Sequence, residues 1–347
     1  MTSAPTIHCF TSASFAYLDR VRILFQTLRQ QHPDWLLWFC LIDKEPEGFH
    51  FDPKKENCDF VVRLEDLGID DLTRWSFKHN VVELCTAVKG KMLCHILEKG
   101  AQKVFYLDPD IAVFSSLQPL VDQLDEKDVL LTPHLLHPEK ELIGIADNEI
   151  GALKHGIFNL GFAAVSNRGD GPRFAEWWRD RLLQFCYEDV PNGIFTDQKW
   201  ADHVPVFFPN MGIVFDEGYN VACWNLNYRP LSTDDQKNIR AGNKLLRFFH
   251  FTKVTWAGEI MLERYSRDRI EVFELLHWYR HQLTIHAPKN LPKNWWAYGI
   301  FNDGTRIEDW QRRAYRSHIG LQHQIMDPFA AGPEAFEAYR PAALSNP

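Results

Sequence analysis

Short apolar runs alternate with segments of helical periodicity through the N-terminal half of the chain, and this alternation restricts the fold most. Residues 6–11 predict a strand, and apolar residues then recur every three or four positions over residues 18–28. The second pattern predicts a helix that ends at His32-Pro33-Asp34. Further strands are predicted over residues 36–42, 59–64, 103–114, 128–132, 158–165 and 245–251. Strands that alternate with helices predict an α/β fold with a mostly parallel central sheet flanked by helices.

The later segments indicate how the chain is organised. One helix is predicted over residues 82–96, with Gly100 as its C-cap, and others around residues 177–185 and 270–283. The strand pattern fades from about Trp256, which predicts a catalytic or binding domain over residues 1–255 and a helical C-terminal extension over residues 256–330. The Ala- and Pro-rich residues 331–347 are predicted to be a frayed tail.

Charge and cysteine content exclude several classes of protein. The formal net charge is −8 over 347 residues without a long Lys/Arg block, so no nucleic-acid partner is expected. The seven cysteines include no CxxC pair, which favours buried thiols over disulfides or a zinc site. The first ten residues lack the basic and apolar regions of a signal peptide, and no apolar run is long enough to span a membrane. We expect a soluble cytoplasmic protein that can meet a membrane surface, with no obligate protein partner.

The stretch KVFYLDPDIAVF (residues 103–114) places two carboxylates directly after an apolar strand. Ligands of parallel sheets bind beyond the carboxyl ends of the strands. On an extended backbone Asp108 and Asp110 point to the same side, and Pro109 keeps Asp108 out of the helical region. Paired carboxylates suit Mg²⁺ or Mn²⁺. The alternative is a strand-to-turn junction in which both side chains cap backbone amides.

Four further segments follow a recognisable order around this pair: VKGKM (88–92), FNLG (158–161), TDQ (196–198) and FHFTK (249–253). Together with the D-x-D stretch they resemble glycosyltransferases of the GT-A fold, and their order is similar to glycosyltransferase family 8 and its glycogenin relatives. The family usually continues the last segment to K-P-W, which contacts the donor phosphates there, and HFTKVTWAGE lacks this continuation. Residues 295–316 resemble the tails of bacterial glycosyltransferases that build surface polysaccharides.

The resemblance implies a metal site and a donor site. Asp108, Asp110 and His250 would hold Mn²⁺ or Mg²⁺, although a histidine that ends an apolar strand is also compatible with a core residue bonded to a backbone carbonyl. A nucleotide-diphosphate sugar, with a UDP-sugar favoured, would be the donor. Lys91, or alternatively Lys89, would place a positive charge beside its diphosphate or sugar.

The remaining site residues follow from the same resemblance. Asn159 would bond sugar hydroxyls and Gly161 would let the sugar approach the backbone, unless the strand is merely interrupted by a bulge there. Gln198 would stabilise the reacting centre, and Asp197 would bind hydroxyls or serve as the N-cap of a helix. The segment FTSASFAY (10–17) would close over the nucleoside, with Thr11 and Tyr17 the best candidates, although these two assignments rest on the resemblance alone.

These inferences favour a metal-dependent hexosyltransferase acting on a glycan, lipid-linked or protein acceptor, with retention of the anomeric configuration. The bacterial tail resemblance suggests surface polysaccharide synthesis. Two alternatives stay open. A haloacid-dehalogenase-like phosphatase also carries D-x-D after an apolar strand, and a transferase-like protein can bind sugar nucleotides without turning them over.

Overall fold

The computed structural model describes residues 6–252, 254 and 256–341. Its strands are β1 (Ile7–Ala13), β2 (Leu36–Leu41), β3 (Phe60–Arg63), β4 (Lys103–Leu107), β5 (Ile111–Val113), β6 (Val129–Pro133), β7 (Phe158–Ser166), β8 (Glu188–Asp189), β9 (Ile194–Phe195), β10 (Met211–Ile213), β11 (Leu231–Thr233), β12 (Ile239–Ala241), β13 (Lys244–Leu245) and β14 (Phe248–His250). Seven of them form a central sheet in the order β10-β6-β7-β4-β1-β2-β3. Its pairs are parallel except for those that β7 makes with β4 and β6. The predicted α/β class with a mostly parallel sheet is therefore confirmed.

Helices cover both faces of this sheet. They are α1 (Leu18–Gln31), α2 (Leu72–Phe77), α3 (Val81–Ala87), α4 (Lys89–Glu98), α5 (Gln118–Gln123), α6 (Leu142–Gly144), α7 (Ile150–His155), α8 (Asp170–Phe185), α9 (Val204–Phe207), α10 (Trp256–Ser266), α11 (Ile270–His286), α12 (Asp309–Ser317) and α13 (Ile319–Gln324). A π-helical segment, Ile145–Glu149, joins α6 to α7. No helix in the described part of the chain is both long and apolar enough to cross a membrane.

Alternation along the strands divides the core into two layers. In β4, Val104 and Tyr106 pack in a cluster with α4 and α8, whereas Phe105 and Leu107 pack in a cluster with α1. Successive strand residues point to opposite faces, so a strand that is apolar throughout is covered on both sides. The close approach of α4 to α8 requires glycine at position 90, because a Cβ there would collide with the backbone of Arg179.

Two predicted elements are each divided in the structure. The predicted strand 103–114 is interrupted by a turn at Asp108-Pro109-Asp110, which separates β4 from β5. The predicted helix 82–96 forms α3 and α4, which meet at Val88. Each predicted segment keeps its secondary structure type, and the change of direction at Asp108 positions the candidate site.

The C-terminal segment packs onto the sheet domain. Arg312 is buried and donates hydrogen bonds to the backbone oxygens of Phe77, His79 and Tyr298. Residues 331–341 differ from the predicted frayed tail, because Phe336 is fully buried and stacks on Phe77 with ring centroids 5.4 Å apart. The rest of the predicted tail, residues 342–347, lies outside the described residues. The proposed division of the chain at residue 255 stays a prediction.

Candidate metal and donor site

Asp108 and Asp110 lie in a tight turn at the carboxyl end of β4. The backbone N–H of Asp108 donates to Gly161 O at 2.8 Å, which continues the β4–β7 ladder, and Ile111 N donates to Asp108 O at 3.1 Å, which closes the turn. Proline at the second position suits such a turn. The expected extended backbone is therefore wrong at this point, but the turn brings both carboxylates to one side.

His250 faces both carboxylates from an adjacent strand. β14 pairs antiparallel with β5 so that His250 lies opposite Ile111. Its Nε2 lies 3.1 Å from Asp110 Oδ1 and 3.6 Å from Asp108 Oδ2. One ligand atom from each of the three residues lies within 4.8 Å of the others. Two carboxylates and one imidazole form a donor set that suits a divalent cation of the Mn²⁺ or Mg²⁺ type.

Asn220 orients the His250 ring from the opposite side. Its amide nitrogen donates to Thr132 Oγ1 at 2.8 Å and to Asn159 Oδ1 at 2.9 Å, so its Oδ1 is the atom 3.2 Å from His250 Nδ1. An amide oxygen can only accept, which assigns a proton to Nδ1 and directs Nε2 toward the carboxylates. The backbone of Asn220 is left-handed, with φ +52°, and Asn225 Nδ2 donates to its carbonyl oxygen at 3.0 Å.

The opposite charges of His250 and Asp110 affect each other's pKa. Burial acts to lower the pKa of His250, but the Asp110 carboxylate outweighs it and raises that pKa. Burial acts to raise the pKa of Asp110, and the neighbouring imidazole more than offsets this, so the pKa of Asp110 is lowered. The arrangement therefore favours an ionised carboxylate at Asp110.

The lysine that reaches this site is Lys89, not Lys91. Lys89 Nζ lies 3.2 Å from Asp108 Oδ1, 3.2 Å from Leu160 O and 2.8 Å from Asp197 Oδ2. Burial acts to lower the pKa of Lys89, but Asp108 and Asp197 outweigh it and raise that pKa. Residues two apart on a helix lie about 200° apart around its axis. Lys91 therefore points to the side of α4 away from the carboxylates, which corrects the preference for Lys91.

Asp197 is held by Lys89 and is not a helix cap. It follows Thr196, whose φ of +44° turns the chain after β9. The 3₁₀ segment Lys199–His203 begins after Gln198, which makes no side-chain cap hydrogen bond. Asp197 Oδ2 instead bonds Lys89, which resolves the N-cap alternative against capping.

Gln198 and Asn159 belong to one buried amide network. Asn159 Nδ2 lies 3.4 Å from Gln198 Oε1 and 3.2 Å from His134 Nε2. Gln198 Nε2 donates to His155 O at 3.0 Å. The structure thus places both predicted catalytic amides beside the metal-ligand cluster, linked to it through Asn220. Their catalytic roles stay predictions.

Gly161 supports His250 in a way that the sequence does not reveal. A Cβ at this position would lie 2.5 Å from His250 Cε1 and 2.8 Å from Asn159 Oδ1. The space that a side chain at position 161 would occupy is therefore filled by protein atoms, and the approach of a donor sugar to this backbone stays a prediction. Glycine is needed because the imidazole packs against it.

Thr11 and Tyr17 lie at two different depths. Thr11 is fully buried in β1, and its hydroxyl makes no hydrogen bond within the described residues. The structure does not bring it into contact with the carboxylates. Tyr17 is 43% exposed beyond the end of β1, and its ring lies 4.3 Å from the Arg20 guanidinium carbon. Their assignment to nucleoside binding stays a prediction.

Two further residues, Tyr106 and Asn220, belong to the site in the structure. Tyr106 donates a short 2.5 Å hydrogen bond from its hydroxyl to Asp108 Oδ1, and Asn220 orients His250. Tyr106 could have been found from strand alternation, because it shares the face of Asp108 two residues later. No local pattern places Asn220 beside His250, because 30 residues that include β11, β12 and β13 separate the two positions.

No family model matches the chain. Two curated relatives are uncharacterized proteins of Bacillus subtilis (strain 168). YfnF is 25% identical over 254 residues, covering 70% of this chain and 81% of the relative. YfnD is 23% identical over 259 residues, covering 73% and 80%. Among solved structures, the galactosyltransferase LgtC in complex with donor and acceptor sugar analogs is similar with a TM-score of 0.46 and 17% identity, over 84% of this chain and 99% of that one. Sequence identities and a TM-score this low do not assign a function, so any function must be inferred from the site itself.

Proposed function

We propose that the protein is a metal-dependent glycosyltransferase of the GT-A fold that moves a hexose from a nucleotide-diphosphate sugar to an acceptor. The observation that carries the proposal is the cluster of Asp108, Asp110 and His250 at the carboxyl edge of the sheet, with ligand atoms within 4.8 Å of one another. In α/β sheets this edge is where ligands bind. The order of the KVFYLDPDIAVF, FNLG, TDQ and FHF segments supports the same function.

Asp108, Asp110 and His250 would hold Mn²⁺ or Mg²⁺. A divalent ion bound there supplies Lewis-acid stabilisation of the departing nucleoside diphosphate. The carboxylates provide the hard oxygen ligands that both metals prefer. The Asn220 hydrogen bond to Nδ1 keeps Nε2 directed at the same point, which is the usual arrangement behind a metal-binding histidine.

Three side chains around the proposed metal ligands would position charges and bind the sugar. Lys89 holds Asp108 and Asp197 in place, and it balances the charge of the buried Asp197 carboxylate. Gln198 and Asn159 offer amide dipoles that can stabilise positive charge at the anomeric carbon and bond the sugar hydroxyls. The family resemblance implies transfer with retention. Because an amide is a poor base, the leaving diphosphate would accept the proton of the acceptor hydroxyl.

The biological setting is inferred from resemblance alone. The tail similarity of residues 295–316 to polysaccharide-assembling enzymes supports a role in bacterial surface glycan synthesis. The two curated relatives are bacterial, which agrees with that setting. We assign the reaction to the cytoplasm, at or near the inner face of the membrane, with a glycan, lipid-linked or protein acceptor.

A panel of nucleotide sugars, with and without Mn²⁺, tests the proposal. We expect one donor to raise the unfolding temperature only with Mn²⁺, and to be slowly hydrolysed when no acceptor is present. Stabilisation without any hydrolysis or transfer would favour a binding protein. Release of phosphate from small phosphoesters would favour the phosphatase. No metal-dependent effect from any donor would contradict the proposed function.

A further inference from the structure

The proposed donor site needs a positive charge in addition to the metal ion held by Asp108, Asp110 and His250. A divalent ion is balanced by Asp108 and Asp110, which leaves the charge of a diphosphate uncompensated. Lys89 cannot supply it, because its ammonium group already donates to Asp108, Leu160 and Asp197. An ammonium group has three N–H donors, and all three are engaged.

Arg20 lies at the level of Asp110. Helix α1 packs along β5, since Ile23 and Ala112 share a core cluster and Val113 N donates to Thr27 Oγ1 at 3.1 Å. Ile23 lies one turn before Thr27, and Ala112 lies one residue before Val113, so α1 and β5 run in the same direction. Arg20, on the same face of α1 two turns before Thr27, therefore lies toward Asp110, which directly precedes β5.

The Arg20 guanidinium is held in place but keeps open donors. Its Nη1 lies 3.0 Å from Asp19 Oδ1, and its carbon lies 4.3 Å from the centre of the Tyr17 ring. Burial acts to lower the pKa of Arg20, but Asp19, with smaller contributions from Tyr17, Tyr279 and Asp110, outweighs it. The side chain is 19% exposed, and its other N–H groups make no hydrogen bond within the described residues. A stacked guanidinium with open edges suits phosphate oxygens.

Tyr279 presents a buried hydroxyl to the same place. Its ring stacks on Phe251, the residue after His250, with centroids 3.8 Å apart. The hydroxyl is buried and has no hydrogen-bond partner in the described residues. Burial and the nearby Asp110 carboxylate raise the pKa of Tyr279, so the hydroxyl stays protonated and can donate. A buried polar group without a partner is costly, and a ligand oxygen would satisfy it.

We propose that Arg20 and Tyr279 form a phosphate-binding subsite beside Asp110, which takes the diphosphate oxygens of the metal-bound donor. The inference rests on the proposed function and deepens it. Arg20 supplies the missing positive charge, and Tyr279 supplies a neutral hydrogen-bond donor. The chain thus carries phosphate contacts on α1 and α11, two helices outside the D-x-D and histidine segments.

Binding of inorganic pyrophosphate to the Mn²⁺-loaded full chain, measured by calorimetry, tests the subsite independently of the donor base and sugar. We expect the unchanged protein to bind pyrophosphate in a Mn²⁺-dependent manner. Arg20→Gln should weaken this binding by about tenfold or more, since hydrogen bonds to charged groups are strong. Tyr279→Phe should weaken it several-fold without lowering the unfolding temperature, because the lost hydroxyl has no protein partner.

Electron paramagnetic resonance can measure the affinity for Mn²⁺ in the absence of pyrophosphate. This measurement separates the phosphate subsite from the proposed function. Neither variant should bind Mn²⁺ more weakly, and Arg313→Gln, at an exposed position on α12, should match the unchanged protein in both assays. Pyrophosphate binding that survives both substitutions would overturn the subsite and leave the proposed function standing. Mn²⁺ binding without any pyrophosphate binding would likewise overturn only the subsite. Failure of the unchanged protein to bind Mn²⁺ would overturn both.

Discussion

At the scale of single residues, Gly161 shows how closely the metal cluster is packed against the sheet. Gly161→Ala would place a methyl group 2.5 Å from His250 Cε1, so the imidazole must move away from the carboxylates. We expect Mn²⁺ affinity to fall about 10- to 100-fold, as for other substitutions behind metal ligands. A Mn²⁺ titration followed by electron paramagnetic resonance measures this loss. Gly320→Ala is the control, because nothing lies within 4 Å of a Cβ there, and equal affinities in the two variants would contradict the prediction.

Asp110 makes the closest carboxylate contact to His250. Asp110→Asn removes the charge but keeps the shape, so we expect Mn²⁺-dependent nucleotide binding to be lost while the circular dichroism spectrum is unchanged. Calorimetry with a nucleoside diphosphate and Mn²⁺ gives the measurement. The same substitution at the exposed Asp235 should have no effect. Unaltered binding by Asp110→Asn would remove this carboxylate from the metal site.

Gln198 is expected to act on turnover more than on binding. Gln198→Ala deletes an amide that neighbours Asn159, and we expect kcat to fall about 10²-fold, as when one preorganised dipole is removed. Donor affinity should stay within a few-fold, because the metal ligands are untouched. Gln198→Glu tests charge at constant shape. Both are measured as steady-state transfer with the donor found in the nucleotide-sugar panel, and a fully active Gln198→Ala would exclude a catalytic role.

The residues of the site differ in how far sequence alone predicts them. Asp108, Asp110 and His250 come from recognised segments, and the structure brings them together. Lys89 could also have been predicted from the sequence, because it shares a helical face with Cys85, Met92 and Ile96. The packing role of Gly161 was not predicted, since the group that needs its missing side chain is an imidazole from a strand almost ninety residues later. Contacts of that range leave no periodic signal.

At the scale of elements, periodicity predicts the type of each segment well and its pairing poorly. β1, β2, β3, β6 and β7 lie close to their predicted ranges, as do α1, α8 and α11. Alternation and helical spacing are local properties, so a single sequence carries them. The antiparallel insertion of β7 between β4 and β6 depends on long-range packing. The turn that divides β4 from β5 was likewise hidden by apolar residues on both sides of Asp108-Pro109-Asp110.

The junction between α1 and α5 predicts a pH dependence of stability. His32 ends α1, and its Nε2 accepts a hydrogen bond from Leu117 N, at the start of α5, at 2.8 Å. Burial lowers the pKa of His32 from its ordinary value of 6.5 to about 4. Between these values the unfolded chain binds more protons than the folded one, so this contribution to stability is lost as pH falls.

The contribution of His32 to the free energy of unfolding should fall by at most about 1.4 kcal/mol for each pH unit. His32→Gln cannot titrate, so its free energy of unfolding in urea should decrease less steeply between pH 6.5 and pH 4. His50→Gln, at a side chain that is 84% exposed, should keep the unchanged slope. If His32→Gln and the unchanged protein have identical pH profiles, the buried hydrogen bond does not set this dependence.

At the scale of the whole molecule, the C-terminal segment returns to the sheet edge that carries the site. Trp295 Nε1 donates to Lys44 O, and Ala297 N donates to Asp43 Oδ1, each at 2.8 Å. Asp43 Oδ2 also accepts from Phe15 N at 3.1 Å, so one carboxylate joins the ends of β1 and β2 to the C-terminal segment. The fading strand pattern after Trp256 predicted helices there, but it gave no sign of these contacts.

Phe336 lies near the C-terminal end of the described residues and packs into the same hydrophobic core as the sheet and its helices. Its ring is fully buried against Phe77, Phe301 and Tyr315. Phe336→Ala would leave a cavity, and we expect the free energy of unfolding to fall by about 3–5 kcal/mol. Urea unfolding gives the measurement, and Met326→Ala, at a residue that is 64% exposed, should change stability far less. A loss below about 0.5 kcal/mol for Phe336→Ala would contradict a shared core, since surface substitutions usually have effects within that range.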